Sequence, residues 1–140
     1  MNLITSLLGI SLMATIGLIA PHTPLEAPTQ EVVAEVVYVP DFTTKEGIEA
    51  YICSKDWDCK VALAIITAES RHVSWAYNPE WHRGCQGSFG LFQVACLHFK
   101  IGEDKLDIKT NIDKAYSIWE KQGFYPWTTF TSGKYKKFLL

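Results

Sequence analysis

The chain has 140 residues, room for one domain. Its 48% apolar and 13% aromatic content supplies a core and excludes a disordered protein. A net charge of −2, with an isoelectric point near 6.1, argues against a nucleic-acid binder, which would normally show a basic face.

Residues 1–20 carry no charge, and their length fits a short membrane span or a signal-peptide core. No Lys or Arg occurs before Lys45, and Ala20-Pro21 makes a poor cleavage site. Glu26, Glu31, Glu35 and Asp41 follow the apolar run, an asymmetry that fits export of the remainder. The segment is expected to be a signal peptide or an N-terminal membrane anchor, with the rest periplasmic or extracellular. Residues 21–43 contain four of the six prolines and read as a linker. Within it the stretch from Glu31 to Val39 has strong β propensity without alternation, suiting an edge strand or a tether. The domain is placed at 44–140, with its boundary near Thr43.

Glu46 follows three residues after Thr43, as in a capping box, so a first helix is expected from there to about Ser54. Four cysteines, Cys53, Cys59, Cys85 and Cys96, contain no CxxC pair and lie at no zinc-ligand spacing from the histidines. In an exported chain they suit disulfides, and local pairing, Cys53 with Cys59 and Cys85 with Cys96, is the expected one of three connectivities. The alternative is four small buried apolar residues.

Asp56 and Asp58 suit the start of a second helix, which runs through Val61-Ala62-Leu63-Ala64-Ile65-Ile66-Thr67-Ala68 to Glu69. A helix apolar all round belongs inside a core. A carboxylate at its end is desolvated, which raises its pKa toward the range a general acid uses. The competing reading is an ion pair of Glu69 with Arg71 or Arg83. His72 to Gln86 is polar, aromatic and irregular. Gly84, Gly87 and Gly90 then bracket Ser88-Phe89 and Leu91-Phe92-Gln93-Val94, a pattern that predicts a small hairpin. Asp107 caps a third helix with apolar positions Ile108, Ile112, Ala115, Tyr116 and Trp119, ended by Gly123. The segment from Phe124 to Phe130 is aromatic and turn-like, and residues 134–137 read as a solvated end. The expected class is mainly α (α+β), with no internal repeat.

In this order, Ala68-Glu69-Ser70, Asn78-Pro79, Gly87-Ser88-Phe89-Gly90-Leu91-Phe92-Gln93-Val94, Asn111, Ala115-Tyr116 and Pro126-Trp127 resemble the lytic transglycosylase (SLT-type) domain of the lysozyme-like superfamily. The resemblance spans residues 47–130. It implies a small lysozyme-like domain with a short β-hairpin after the catalytic helix. It also implies cleavage of the β-1,4 bond between N-acetylmuramic acid and N-acetylglucosamine in peptidoglycan. Glu69 would be acid and then base while the muramic acid's own 6-hydroxyl closes a 1,6-anhydro ring. Ser88, Gln93, Tyr116 and Phe92 would serve substrate binding. Each has a structural alternative: turn chemistry for Ser88 and Gln93, plain core for Tyr116, and for Phe92 the apolar wall that keeps Glu69 protonated.

Between Glu69 and Glu103 the only acid is Glu80, placed in the irregular loop, and one acid suffices when the substrate supplies the nucleophile. The alternatives are a hydrolysing muramidase using Glu69 with Glu80, and a non-catalytic cell-wall glycan-binding module. Trp75, Trp81 and Trp127 could stack on sugar, with core the favoured place for Trp127. His72, His82 and His98 are assigned no chemistry. The reading calls for no cofactor, no metal and no nucleic acid. The partners expected are peptidoglycan glycan strands, and a membrane through residues 1–20 if that segment is uncleaved. The domain is expected to act as a monomer.

Overall fold

The computed structural model describes residues 39–139; the expectations for residues 1–20 and for most of the linker lie outside them. Among the described residues, four α-helices and a three-stranded antiparallel sheet make a mixed α+β domain.

Helix α1, Lys45–Cys53, starts one residue later than the capping box suggests. Asp41 Oδ1 accepts from both the amide (2.9 Å) and the hydroxyl (2.6 Å) of Thr43. Thr44 therefore becomes the cap, and its Oγ1 accepts from the Gly47 amide at 3.1 Å. Phe42 already packs edge-on against Tyr51, 5.1 Å between ring centroids. The Cys53–Cys59 disulfide ties the end of α1 to the start of α2, Cys59–Glu69. Asp58 caps α2 by accepting from the Val61 amide at 3.1 Å. Ala62, Ala64, Ile65 and Ile66 are buried, as an apolar helix requires.

The sheet departs from the expected hairpin. Its order is β1 (Tyr77–His82), β2 (Cys85–Phe89) and β3 (Val94–Ala95). The segment read as irregular thus contains a strand. Pro79 and the aromatic-polar composition hide it, and the ladder steps out of register between Asn78 and Trp81, where a proline is tolerated. Leu91 and Phe92 are not strand residues. They lie in the turn between β2 and β3, closed by the Gln93 amide donating to the Gly90 carbonyl at 3.2 Å. Gly90 has φ +70°, and a Cβ there would stand 2.5 Å from the Asn111 side chain, so both conformation and space require glycine. The second disulfide, Cys85–Cys96, joins β2 to a short 3-10 helix, Cys96–His98. Both pairings are the local ones expected, and two disulfides fit an oxidising compartment. Among the described residues no helix is long and apolar enough to cross a membrane.

Helix α3, Ile108–Gln122, is capped by Asp107, which accepts from the Thr110 amide at 2.8 Å, and ends at Gly123 with φ +61°. The tail is more ordered than a solvated end. After α4, Thr128–Thr131, a 3-10 helix at Lys134–Phe138 packs against α2, and Tyr135 stacks on Phe130 at 4.9 Å. The core centres on Trp57, whose ring lies 5.1 Å from Phe92, 5.4 Å from Tyr116 and 5.9 Å from Phe124. Its indole N–H donates to the Ile52 carbonyl at 2.7 Å, so the ring's own polar atom is satisfied. Each fully buried large side chain here contributes about 1.5–3 kcal/mol.

Candidate active site

Helix α2 delivers Glu69 to a cavity of about 290 Å³ between the sheet and the tail. The chain leaves the helix abruptly, through Arg71 (φ +53°) and His72 (φ +64°), two non-glycine residues in the left-handed region. Such residues cost of order 1 kcal/mol each and persist where packing over-determines them. Here the Thr67 hydroxyl donates to the Leu63 carbonyl and so accepts from His72 Nε2 at 2.8 Å, pinning the reversal. Beyond the reversal, β1 contributes side chains to the same cavity as Glu69.

Strand β1 gives Asn78, Glu80 and His82 to the cavity, alternate residues as a strand allows. Ser88 comes from β2, Gln93 from the turn and His98 from the 3-10 helix, while Ile118, Pro126, Trp127 and Thr128 close the apolar side. Trp127 is 6% exposed, and its indole N–H donates to the Phe92 carbonyl at 2.8 Å, so it is a wall of the site anchored in the core.

The Glu69 carboxyl is held above the ordinary carboxylate range, chiefly by burial and further by the negative charge of Glu80. Its position on the last turn of α2, near unpaired helix carbonyls, acts in the same direction. Two groups oppose this: the Thr129 hydroxyl, which donates to Glu69 Oε1 at 2.7 Å, and the charge of Lys134. Among the described residues neither Arg71 nor Arg83 is ion-paired with Glu69, so the expected structural alternative is absent there. A carboxyl so placed can deliver a proton to a bond in the cavity and take one back.

The other expected site residues divide. Ser88, 7% exposed, lines the cavity and its hydroxyl is hydrogen-bonded to His82 Nε2 at 2.9 Å. Gln93 also lines it, at φ +48°, with its amide nitrogen donating to the carbonyls of Ala76 (3.1 Å) and Gly90 (3.0 Å). That amide braces the turn and presents the rest of the side chain to the site. Phe92 is 0% exposed and cannot touch a substrate. It packs on Trp57 and Trp127 and so backs the apolar wall. Tyr116 does not face Glu69. It stacks on Trp119 at 5.6 Å and meets Trp57 edge-on, on the side of α3 that packs against the α1–α2 connection. An amphipathic pattern cannot distinguish that flank from the one facing the cavity.

Glu80, read as a loop residue, stands on β1 in the same cavity as Glu69. Thr129, His82 and His98 carried no local sequence signal, since their partners come from other elements. A second cavity, about 420 Å³ and larger, is lined by Phe42, Lys45, Ile48, His72 and Trp75 among others, and it contains no acid. Among the described residues the two carboxylates that share a cavity, Glu69 and Glu80, are in the first. Among the described residues no cluster could hold a metal ion.

Thr129→Val removes the donor that stabilises ionised Glu69. If the protonated form is the active one, the falling alkaline limb of the pH–rate profile is expected to move to higher pH, with the rate at acid pH kept. An unmoved limb in a folded variant would show that this hydroxyl does not tune the acid.

Comparison of the chain with protein-family models, with curated proteins and with solved structures gives no match.

Proposed function

We propose that the domain is an exported peptidoglycan-cleaving enzyme with a lysozyme-like arrangement. It acts on the β-1,4 bond between N-acetylmuramic acid and N-acetylglucosamine. The observation that carries this reading is Glu69, a carboxyl at the end of a buried helix, kept protonatable by burial and opening into a cavity with Ser88, Gln93 and Trp127. It protonates the glycosidic oxygen as the bond breaks. As the resulting carboxylate it then takes the proton of the attacking hydroxyl. In the transglycosylase form that hydroxyl is the muramic acid's own, and the product is a 1,6-anhydro sugar. No cofactor enters the reaction, and the domain works as a monomer on glycan strands, held at a membrane by residues 1–20 if that segment is retained. The disulfides support an oxidising, periplasmic or extracellular setting.

One observation favours a second reading, hydrolysis. Glu80 lines the cavity and acts electrostatically on Glu69, so a second carboxylate is available to activate water or hold the cation-like transition state. Digestion of purified sacculi followed by mass analysis separates the two, because anhydro ends are lighter by one water. Transglycosylation predicts anhydro ends from both the parent and Glu80→Gln. Reducing ends from the parent, lost together with activity in Glu80→Gln, would establish the hydrolase instead. A full digest of sacculi by Glu69→Gln would overturn both.

A further inference from the structure

The two disulfides hold different things. Cys53–Cys59 joins the end of α1 to the start of α2, and no residue between them lines the cavity. Cys85–Cys96 closes the stretch that carries Ser88, Gln93, Val94 and Ala95 into the cavity wall, and His98 follows two residues beyond it. That stretch is anchored unevenly. Its turn at residues 89–93 is bonded from outside. Asn111 meets the Phe92 amide and the Phe89 carbonyl, the Gly90 amide donates to the Ala76 carbonyl at 2.8 Å, and the Trp127 indole donates to the Phe92 carbonyl. Leu91 and Phe92 are also buried there. The part after the turn has less. Strand β3 is two residues long, with Val94 opposite Phe89 and Ala95 opposite Ser88, and the 3-10 helix after it has three residues and no side-chain cap. Elements that short hold their place by what they are tied to. Here the ties are the buried Val94 side chain, an edge-on contact of Phe99 with Phe89, and the Cys85–Cys96 bond.

We propose that the Cys85–Cys96 bond is a redox switch on this cavity. Oxidised, it holds Ala95 and His98 in the wall; reduced, it lets that wall open while the helices keep their fold. The consequence for activity rests on the reading of the cavity as a glycan-cleaving site. Cys96 is 5% exposed and Cys85 half-buried, so an incoming thiolate reaches Cys85 Sγ first. The sulfur–sulfur bond breaks, Cys96 leaves as a thiolate and takes up a proton, and the second thiol of a dithiol reductant displaces Cys85. Two electrons and two protons pass to the cysteines, and the dithiol closes to its own disulfide. The reverse exchange, with a disulfide as oxidant, completes the wall. A chain made among cytosolic thiols therefore folds with an open site, and the site closes where disulfide oxidants prevail.

The test uses the full chain with one cysteine pair removed. In Cys53→Ala/Cys59→Ala the cavity bond is the remaining disulfide. The protein is read oxidised, after reduction by dithiothreitol, and after reoxidation by glutathione disulfide. Amide hydrogen exchange reports the wall whether or not the cavity cleaves glycan. Exchange at residues 94–99 is expected to rise on reduction and to return on reoxidation, with α2 and α3 unchanged and thermal unfolding still cooperative. Cleavage of sacculi is expected to fall by about 10²-fold on reduction, the cost of displacing part of a site by about an ångström, and to recover on reoxidation. If that variant fails to fold, Cys85→Ala/Cys96→Ala against the parent reads the same exchange, and it should stay in the low-activity state under oxidant. Unchanged exchange at 94–99 on loss of the bond overturns the switch. So does exchange that rises throughout α2 and α3, or a Cys85→Ala/Cys96→Ala chain that does not fold, because the bond then holds the whole domain. A wall that opens without slowing cleavage by an active protein overturns its control of the site. Oxidised parent that leaves sacculi intact overturns the cleavage reading instead, and the exchange data still decide whether the wall moves.

Discussion

Glu69→Gln is expected to lower glycan cleavage by about 10²–10⁴-fold, the contribution of a positioned general acid, without disturbing the fold. The amide is isosteric, and its oxygen still accepts from the Thr129 hydroxyl now 2.7 Å from Oε1. The proton is what goes missing. Stability should move in the opposite direction from activity, and its pH dependence follows from the raised carboxyl. Because folding raises the Glu69 pKa, the native state prefers the protonated form. The stability of that form is fully present below the unfolded value and is lost as pH rises through the folded value. Gln imitates the protonated form at every pH. The variant should therefore match the parent in acid and unfold at a higher temperature than it at pH 8. Thermal unfolding at pH 4 and pH 8 reads this directly. A Glu69→Gln protein less stable than the parent at pH 8 would mean that the carboxylate serves the fold, as an ion-paired helix end would, and would remove the main physical ground for calling it an acid. Loss of cleavage with gain of stability is the trade expected if the buried carboxyl is kept for its chemistry at a cost to the fold.

The elements that set this carboxyl in place were unequally legible in the chain. Helix α2 was plain because its apolar run and Asp58 cap are contiguous, and α3 because Asp107 and Gly123 bracket a regular 3.6-residue pattern. The two disulfides follow the shortest loops. Strand β1 was not legible. Its Tyr-Asn-Pro-Glu-Trp-His sequence has a proline at the bulge, one flank of polar cavity residues and another of exposed aromatics. That exposes Trp81 to 74% and gives no apolar alternation to read. Without that strand Glu80 reads as a loop residue and Glu69 as a lone acid, whereas both line one cavity. Thr129 lies 60 residues from Glu69, and only the fold of the tail brings them together. Tyr116 illustrates a different limit. Its helical position is right for packing, but α3 packs on both flanks. Ala115 and Ile118 are buried within the body of the domain, and Tyr116 and Trp119 turn to Trp57.

Asn111→Leu should lower stability by roughly 2–5 kcal/mol through two stranded backbone groups. Asn111 is 1% exposed on the first turn of α3, a polar side chain among apolar neighbours. Its Oδ1 accepts from the Phe92 amide at 3.1 Å, and its Nδ2 donates to the Phe89 carbonyl at 2.7 Å. It therefore satisfies both ends of the tight turn that carries Gln93, and Gly90 is cut away to admit it. Leucine is close in volume but supplies neither bond, and at roughly 4–8 °C per kcal/mol for a domain of this size the melting temperature should fall by about 10 °C or more. Asn111→Asp separates hydrogen bonding from packing. A carboxylate still accepts from the Phe92 amide but faces the Phe89 carbonyl with no proton to give. Burial and that carbonyl both favour the neutral acid, so the folded state should raise the introduced carboxyl's pKa. Its destabilisation should then be severe at pH 8 and shrink as pH falls and the carboxyl regains a proton to donate. If Asn111→Asp were equally unstable at pH 4 and pH 8, the side chain would be filling space rather than pairing the turn. Because the same turn sets Gln93, and β2 just before it sets Ser88, recovery of stability in acid should be accompanied by recovery of whatever the cavity binds. Parallel melting and tetrasaccharide-binding curves across that pH range would link the brace to the site, and a stable protein at pH 4 that still fails to bind would show that the turn does not position the cavity.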